Sequence, residues 1–220
     1  MNKKKSILES NVLYTIIAII AGFLIGAIFL MIAGISPAVA YGKLFSSIFS
    51  KPKYLVWTLV YASPLIFTGL SVAFSFRTGV FNIGAEGQFV IGGLVACVLG
   101  IVLNLPPVIH AVVCLAAAAL AGCAWSLIVG VLKVKRGIHE VLSFIMFNWI
   151  AFYLSNYVVN LPAIHRESSE ATRDIASSAR ILLPSGLQKA LDCNAAHWGI
   201  VLAIFAAIVI WIIIEKTTLG

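Results

Sequence analysis

Long apolar runs separated by short polar stretches set the frame for this chain. They occupy 12–35, 55–76, 88–103, 110–132, 139–159 and 198–214. Several reach or exceed the roughly 18 to 20 residues that carry an α-helix across hydrocarbon about 30 Å thick. The segments of about ten alternating residues that mark a transmembrane β-barrel are absent. The pattern predicts an all-α, polytopic helical membrane protein with about six transmembrane helices. Pro52, Pro106, Pro107 and Pro162 fall at or near run ends, where proline does least harm, whereas Pro64 lies inside the second run and is expected to bend it. Run 12–35 is followed by a small-x-small triplet, Ala38-Val39-Ala40. It is nevertheless too long for a signal-peptide core of about 7 to 15 residues, and is read as a helix that stays.

The pattern breaks after the second run. Between Arg77 and Gly87 the chain carries Gly79, Gly84 and Gly87 together with Asn82 and Glu86. Backbone that leaves helical geometry at membrane depth must be shielded by protein or line a wet cavity. The segment is therefore a broken or re-entrant element, or else a tight cytoplasmic turn with a solvated glutamate. Glu86 favours the first, because an ionisable residue beside a span usually faces the bundle interior or a water path.

The fifth run carries a second polar signal. At about 100° per residue, Glu140, Ser143, Asn148, Ala151 and Ser155 share one side of a helix, with Phe144 and Phe147 close by. Such a stripe suits a pathway for a polar solute with a flat ring, and it suits interhelical hydrogen bonding equally well. For Glu140, a surface pairing with Lys135 or Arg136 competes with a pathway role. Small residues also recur at four-residue intervals: Gly22 and Gly26, then Gly92, Ala96 and Gly100, then Gly122, Ser126 and Gly130. That spacing lets helix backbones approach closely in lipid.

Composition agrees with a membrane setting. The chain is 61% hydrophobic and 10% charged, where soluble domains carry about 25% charged residues; its mean hydropathy is +1.06. The net charge of +7 is distributed between the apolar runs as flanking charge, so no nucleic-acid partner is expected. With the N-terminus cytoplasmic, inside segments hold Lys3, Lys4, Lys5, Arg77, Lys133, Lys135, Arg136 and Lys216. The remaining basic residues, Lys43, Lys51, Lys53, Arg166, Arg173, Arg180 and Lys189, then fall outside. The totals nearly balance. The inside residues are denser, and the larger outside loop, 160–197, offsets its own with Glu167, Glu170, Asp174 and Asp192. Both termini are therefore expected in the cytoplasm. Loop 160–197 is the one sizeable hydrophilic piece, either a docking surface for an extracytoplasmic partner or a solvated connector.

Several chemistries are not expected. His110, His139, His165 and His197 lack metal-ligand spacing, and no P-loop occurs. Ser63, Ser71, Ser126 and Ser143 lie outside any nucleophile-elbow context. Cys97, Cys114 and Cys123 sit in apolar runs and Cys193 in the polar loop, which gives no metal or disulfide framework. The chain is expected not to be an enzyme and to carry no cofactor.

Two blocks carry a resemblance to a known family. "TGLSVAFSFRTGVFNIGAEGQFVIGG", 68–93, and "GIHEVLSFIMFNWIA", 137–151, resemble the permease subunit of bacterial ATP-binding-cassette importers for nucleosides and simple sugars. The "FNIGAEGQ" element fits the guanosine-type nucleoside branch better than the ribose branch. The resemblance covers most of the chain; the first run and the outer loop match only in character. It implies a multi-pass permease of the bacterial plasma membrane, bound in lipid and paired with a second permease subunit. It also implies a cytoplasmic ABC ATPase that holds the ATP, and an extracytoplasmic substrate-binding lipoprotein. By position it nominates Asn82, Glu86, Gln88, Glu140 and Asn148 for the substrate pathway or its gate, and Phe81, Phe144 and Phe147 to stack on a base. In such relatives the sequence continues past "KTTLG" into a segment that contacts the ATPase. Residues 1–220 are accordingly expected to be the N-terminal part of a longer permease domain, truncated at the C-terminus and unable by itself to couple ATP hydrolysis to uptake. A simple-sugar permease is the alternative within transport. An ion-coupled secondary transporter would show inverted repeats, which the hydropathy pattern lacks. A structural or assembly membrane protein would make Glu86 dispensable.

Overall fold

A computed structural model describes residues 11–217. Lys3, Lys4 and Lys5 of the charge argument, and 218–220 of the "KTTLG" end, lie outside the described residues. The helices are α1 (Asn11–Ile32), α2 (Pro37–Ser50), α3 (Pro52–Arg77), α4 (Ala85–Val102), α5 (Ile109–Arg136), α6 (Glu140–Val159), α7 (Ser185–Ala190) and α8 (Gly199–Lys216). Among the described residues six helices are long and apolar enough to cross a membrane: Leu13–Ile32 of α1, and α3, α4, α5, α6 and α8. The β pairing among them is limited to two isolated bridges, His165 with Thr172 and Leu182 with His197.

The hydrophobic pattern located these six and missed α2. Its boundaries follow from its prolines. Pro37 stands at the first helical position, where a missing N–H costs nothing. Lys51 ends the helix in an extended conformation, φ −145° and ψ 143°, as the residue before a proline prefers. Pro52 then opens α3. That helix continues through Pro64, which deprives the Val60 carbonyl of its normal partner four residues on. The Ser63 hydroxyl donates to that carbonyl at 2.9 Å, and Ser63 is buried.

The chain divides into two compact units, one up to Leu55 and one from Val56. In the first, Tyr41 of α2 donates to the Phe23 carbonyl of α1 at 2.7 Å and meets the Phe23 ring edge-on at 5.2 Å. Gly26 makes this approach possible, since a Cβ there would stand 2.8 Å from the Tyr41 hydroxyl.

In the second unit α4, α5 and α6 pack together. The four-residue spacing of small side chains works where α4 and α5 cross: a Cβ on Gly92 would lie 3.0 Å from the Ala118 carbonyl, and one on Gly122 3.3 Å from the Gln88 carbonyl. In lipid, where apolar side chains gain little by leaving the solvent, such close contact is what holds helices together. Gly137 ends α5 in the left-handed region, φ 63°, beyond a last turn whose Lys133, Lys135 and Arg136 complement the helix dipole.

Loop 160–197 is folded. Arg173 donates from Nε to the His165 carbonyl at 3.2 Å and from Nη2 to the Pro162 carbonyl at 3.1 Å. Ile164, Cys193 and Ala196 are buried. The Ala176 N–H bonds the Gly100 carbonyl at the end of α4, 2.8 Å away. His110, fully buried at 0% exposure, joins Ser178 of the loop at 2.8 Å and the Leu99 carbonyl at 3.2 Å. The loop is thus seated on one end of the α4–α5 pair.

Candidate functional site

The connection between α3 and α4 is irregular over 78–84, with Gly79 at φ 78° supplying a conformation that side-chain-bearing residues avoid. Asn82 organises it. Its Oδ1 accepts from the Gly84 N–H at 2.9 Å and from Gln88 Nε2 at 3.2 Å. Its Nδ2 donates to Ser71 Oγ at 3.3 Å and to Ser75 Oγ at 3.4 Å. Ser71 in turn donates to Gln88 Oε1 at 3.1 Å. Asn82, Ser71 and Gln88 therefore close a ring of hydrogen bonds that ties α3 to the first turn of α4. Asn82 is 4% exposed, and its amide would be costly to bury without these partners.

Asn148 approaches the same turn from α6. Its Oδ1 accepts the Gly87 N–H at 2.9 Å, one of the amides that a helix start leaves unpaired, and its Nδ2 donates to the Ile83 carbonyl at 3.0 Å. Gly87 permits this, because a Cβ would fall 2.7 Å from Asn148 Oδ1. Phe144, 4% exposed, lies against Gly84 so tightly that a Cβ at that glycine would overlap its ring. The stripe seen in the sequence is the inner side of α6: Ser143 and Ala151 are buried, whereas Leu142, Met146 and Trp149 are exposed.

The ring lies in the wall of a cavity of about 860 Å³ between α3 and the α4–α5 pair. Asn82, Gln88 and Phe144 line it, together with Ser71 and Ser75, neither of which the sequence nominated for the pathway. Phe67, Phe74 and the small residues of α4 and α5 make the remainder largely apolar. Among the described residues no Asp, Glu, Lys, Arg or His contributes to the lining.

The remaining nominated residues lie elsewhere. Glu86 is exposed in the first turn of α4, where a carboxylate complements the helix dipole. It borders a separate depression of about 620 Å³ with Gly69, Val72 and Ala73 of α3. Phe81 is exposed and meets Phe76 edge-on at 4.7 Å. Phe147 packs edge-on against Trp125 at 5.2 Å. Glu140 pairs with Lys133 at 2.7 Å, two and three residues before Lys135 and Arg136, the partners the sequence offered. Asn148 caps α4 from behind and is not part of the cavity wall. Ser71 and Ser75 had a signal: they stand four apart on one side of α3 and lead into "FNIG".

Known proteins resemble this chain in sequence over most of its length. The family described as branched-chain amino acid transport system / permease component matches residues 54–220. The chain is 38% identical to the guanosine ABC transporter permease protein NupP of Bacillus subtilis (strain 168) over 96% of its own length and 60% of that protein's. It is 29% identical to the glucose ABC transporter permease protein TsgB13 of Haloferax volcanii, over 93% of this chain and 55% of that one. It is also 29% identical to the nucleoside ABC transporter permease protein NupB of Lactococcus lactis subsp. cremoris, over 96% and 59%. The chain thus spans 60% or less of the length of these relatives. No solved structure matches. With the family match covering the polar ring, its cavity and all six span helices but the first, the chain is a multi-pass membrane protein that belongs to the permease-component family of transport systems.

Proposed function

We propose that this chain is the permease subunit, or the N-terminal part of one, of an ABC importer that moves nucleosides into the cell. The observation that carries the reading is the cavity beside α3, whose polar groups are neutral amides and hydroxyls and whose remaining wall is apolar and aromatic. An amino acid would bring an ammonium and a carboxylate into this space, and unpaired charge in a low-dielectric site is strongly disfavoured. A neutral solute with a flat ring and hydrogen-bonding edges meets compatible surfaces. The family description names branched-chain amino acids; the chemistry of the wall and the names of two relatives favour nucleosides instead.

In this reading ATP hydrolysis belongs to a cytoplasmic ABC ATPase, the chain itself being no enzyme and holding no cofactor. A second permease subunit completes the membrane part, and an extracytoplasmic binding lipoprotein delivers solute. Both termini face the cytoplasm, so that the polar ring lies toward the inner side and loop 160–197 toward the outer. A simple sugar is the second reading, favoured by the glucose permease relative.

The test is uptake of labelled guanosine by cells in which the gene for this chain is deleted and then restored. Restoration is expected to recover uptake that is vanadate-sensitive and inhibited by excess guanosine, with little inhibition by glucose or leucine. Glucose as the effective competitor would transfer the assignment to sugars, leucine would return it to amino acids, and vanadate-insensitive uptake would remove the ATPase.

A further inference from the structure

The amides and hydroxyls of the cavity wall can be traced to their partners. In an apolar helix a serine or threonine commonly returns its proton to a carbonyl about one turn back, as Ser63 does to Val60, Thr68 to Pro64 and Ser143 to His139. Asn82 spends both N–H groups and both lone pairs within the ring. Gln88 keeps one N–H and one lone pair, but the ring occupies the edge on which they would stand side by side, and what remains points to opposite sides. Ser71 gives its proton to Gln88, and Ser75 accepts from Asn82. Ser126, on α5, differs from all of these. It is half-buried and lines the cavity beside Gly122 and Leu127, and its hydroxyl has no hydrogen-bond partner among the described residues. Its place in the series Gly122, Ser126 and Gly130 asks only for a small side chain. Alanine would meet that need without a hydroxyl that is costly to leave unpaired in an apolar wall.

We infer that Ser126 is a specificity-determining residue of the cavity and hydrogen-bonds a hydroxyl of the solute's sugar. The inference rests on the reading of this cavity as a solute site and names the part of the solute that the α5 wall recognises. An unspent serine offers a donor and two lone pairs at a single atom. The partner that satisfies it in either direction is another hydroxyl. A carbonyl or an unprotonated ring nitrogen only accepts, a ring N–H only donates, and an ammonium would bring charge into a wall built without any. Sugar hydroxyls are common to nucleosides and simple sugars, so the assignment holds for either solute. A site that pairs with a solute hydroxyl rejects the analogue lacking it, because its own group is then left unpaired. Removing the Ser126 hydroxyl breaks no side-chain hydrogen bond within the protein, which separates recognition from folding.

The test uses cells in which the gene for this chain is deleted and restored. It reads inhibition of labelled guanosine uptake by the monodeoxy analogues of guanosine, each lacking one ribose hydroxyl. With the wild-type chain one analogue is expected to compete about tenfold less well than guanosine because it lacks this contact. In Ser126→Ala that analogue and guanosine compete equally, while the ratios for the other analogues do not change; Ser126→Gly is a second variant expected to match alanine. Ser126→Thr, which keeps the hydroxyl, restores the preference. A side chain wanted only for its small size gives the opposite order, with alanine tolerated and threonine not. Wild-type ratios for every analogue in Ser126→Ala overturn the assignment while leaving the solute site standing, as does a wild-type chain that distinguishes none of them. If the restored cells carry glucose in place of guanosine, the nucleoside reading fails separately and the comparison is made with monodeoxy glucoses: loss of one ratio in Ser126→Ala upholds the assignment, and unchanged ratios overturn it. Uptake of neither solute removes the solute site itself, and the assignment with it.

Discussion

The two ends of α4 are both held by polar side chains in an apolar setting, and they are built differently. At the C-terminal end His110 is 0% exposed and both ring nitrogens are engaged, one by the Leu99 carbonyl and one by Ser178. A carbonyl can only accept, so Nε2 carries the proton there. Gly100 adds close contact with Ile175, a Cβ there reaching within 3.2 Å. Neither His110 nor Ser178 lines the cavity at the other end, and the pair serves as a clamp between helix and loop. At the N-terminal end the ring of Ser71, Asn82 and Gln88 opens onto about 860 Å³ of space, and Gln88 retains hydrogen-bonding capacity. Saturated polar groups hold structure, and polar groups with capacity left over in a cavity are available to a ligand.

Three substitutions sharpen this contrast. The largest effect on stability is expected at the clamp. His110→Ala removes one of two donors to the Leu99 carbonyl, which keeps the Leu103 N–H, leaves Ser178 without its ring partner and empties a buried ring-sized volume, at a cost of about 2 to 4 kcal/mol. It should lower the unfolding midpoint in detergent and open loop 160–197 to trypsin at Arg173 and Arg180; a protease-resistant loop in this variant would show that the clamp does not hold it.

Asn148→Ala comes second, at about 1 to 2 kcal/mol, because it unpairs the Gly87 N–H and the Ile83 carbonyl at a helix start. The local readout is amide exchange at Gly87, expected to quicken while amides in the middle of α5 stay protected. Exchange at Gly87 no faster than in the wild-type chain would mean that the cap contributes nothing.

Gln88→Leu should have the smallest effect, about 1 kcal/mol or less, since the Gly84 N–H still satisfies Asn82 Oδ1 and Asn82 still donates to Ser71. Its measured change in unfolding midpoint therefore tests the comparison itself. A loss as large as that of His110→Ala would put Gln88 among the structural clamps, and the distinction between the two ends of α4 would fail.

The divide between what was and was not legible in the sequence follows the range of the interactions. Span helices appear in a linear pattern because hydrocarbon imposes one requirement on every residue of a run. Helix α2 was hidden because its fourteen residues are too short and mixed for that requirement. The motif polar residues drew notice as polar residues in an oily context, yet their parts differ in three dimensions: Asn82 and Gln88 line the cavity, Asn148 caps a helix, Glu140 pairs with Lys133, and Glu86 lies at a separate depression. Loop 160–197 offered no periodicity from which its seating could be read, because the seating depends on His110, dozens of residues away.

Sequence alone determined that the protein crosses the membrane several times as helices, where five of its spans begin and end to within a few residues, and which family blocks it carries. These follow from local hydropathy and from residue order, both of which are linear properties. Only the tertiary structure decided which of its amides are spent on holding helices together and which keep a donor and an acceptor for something else. That accounting needs the partners of each group, and those partners come from other helices.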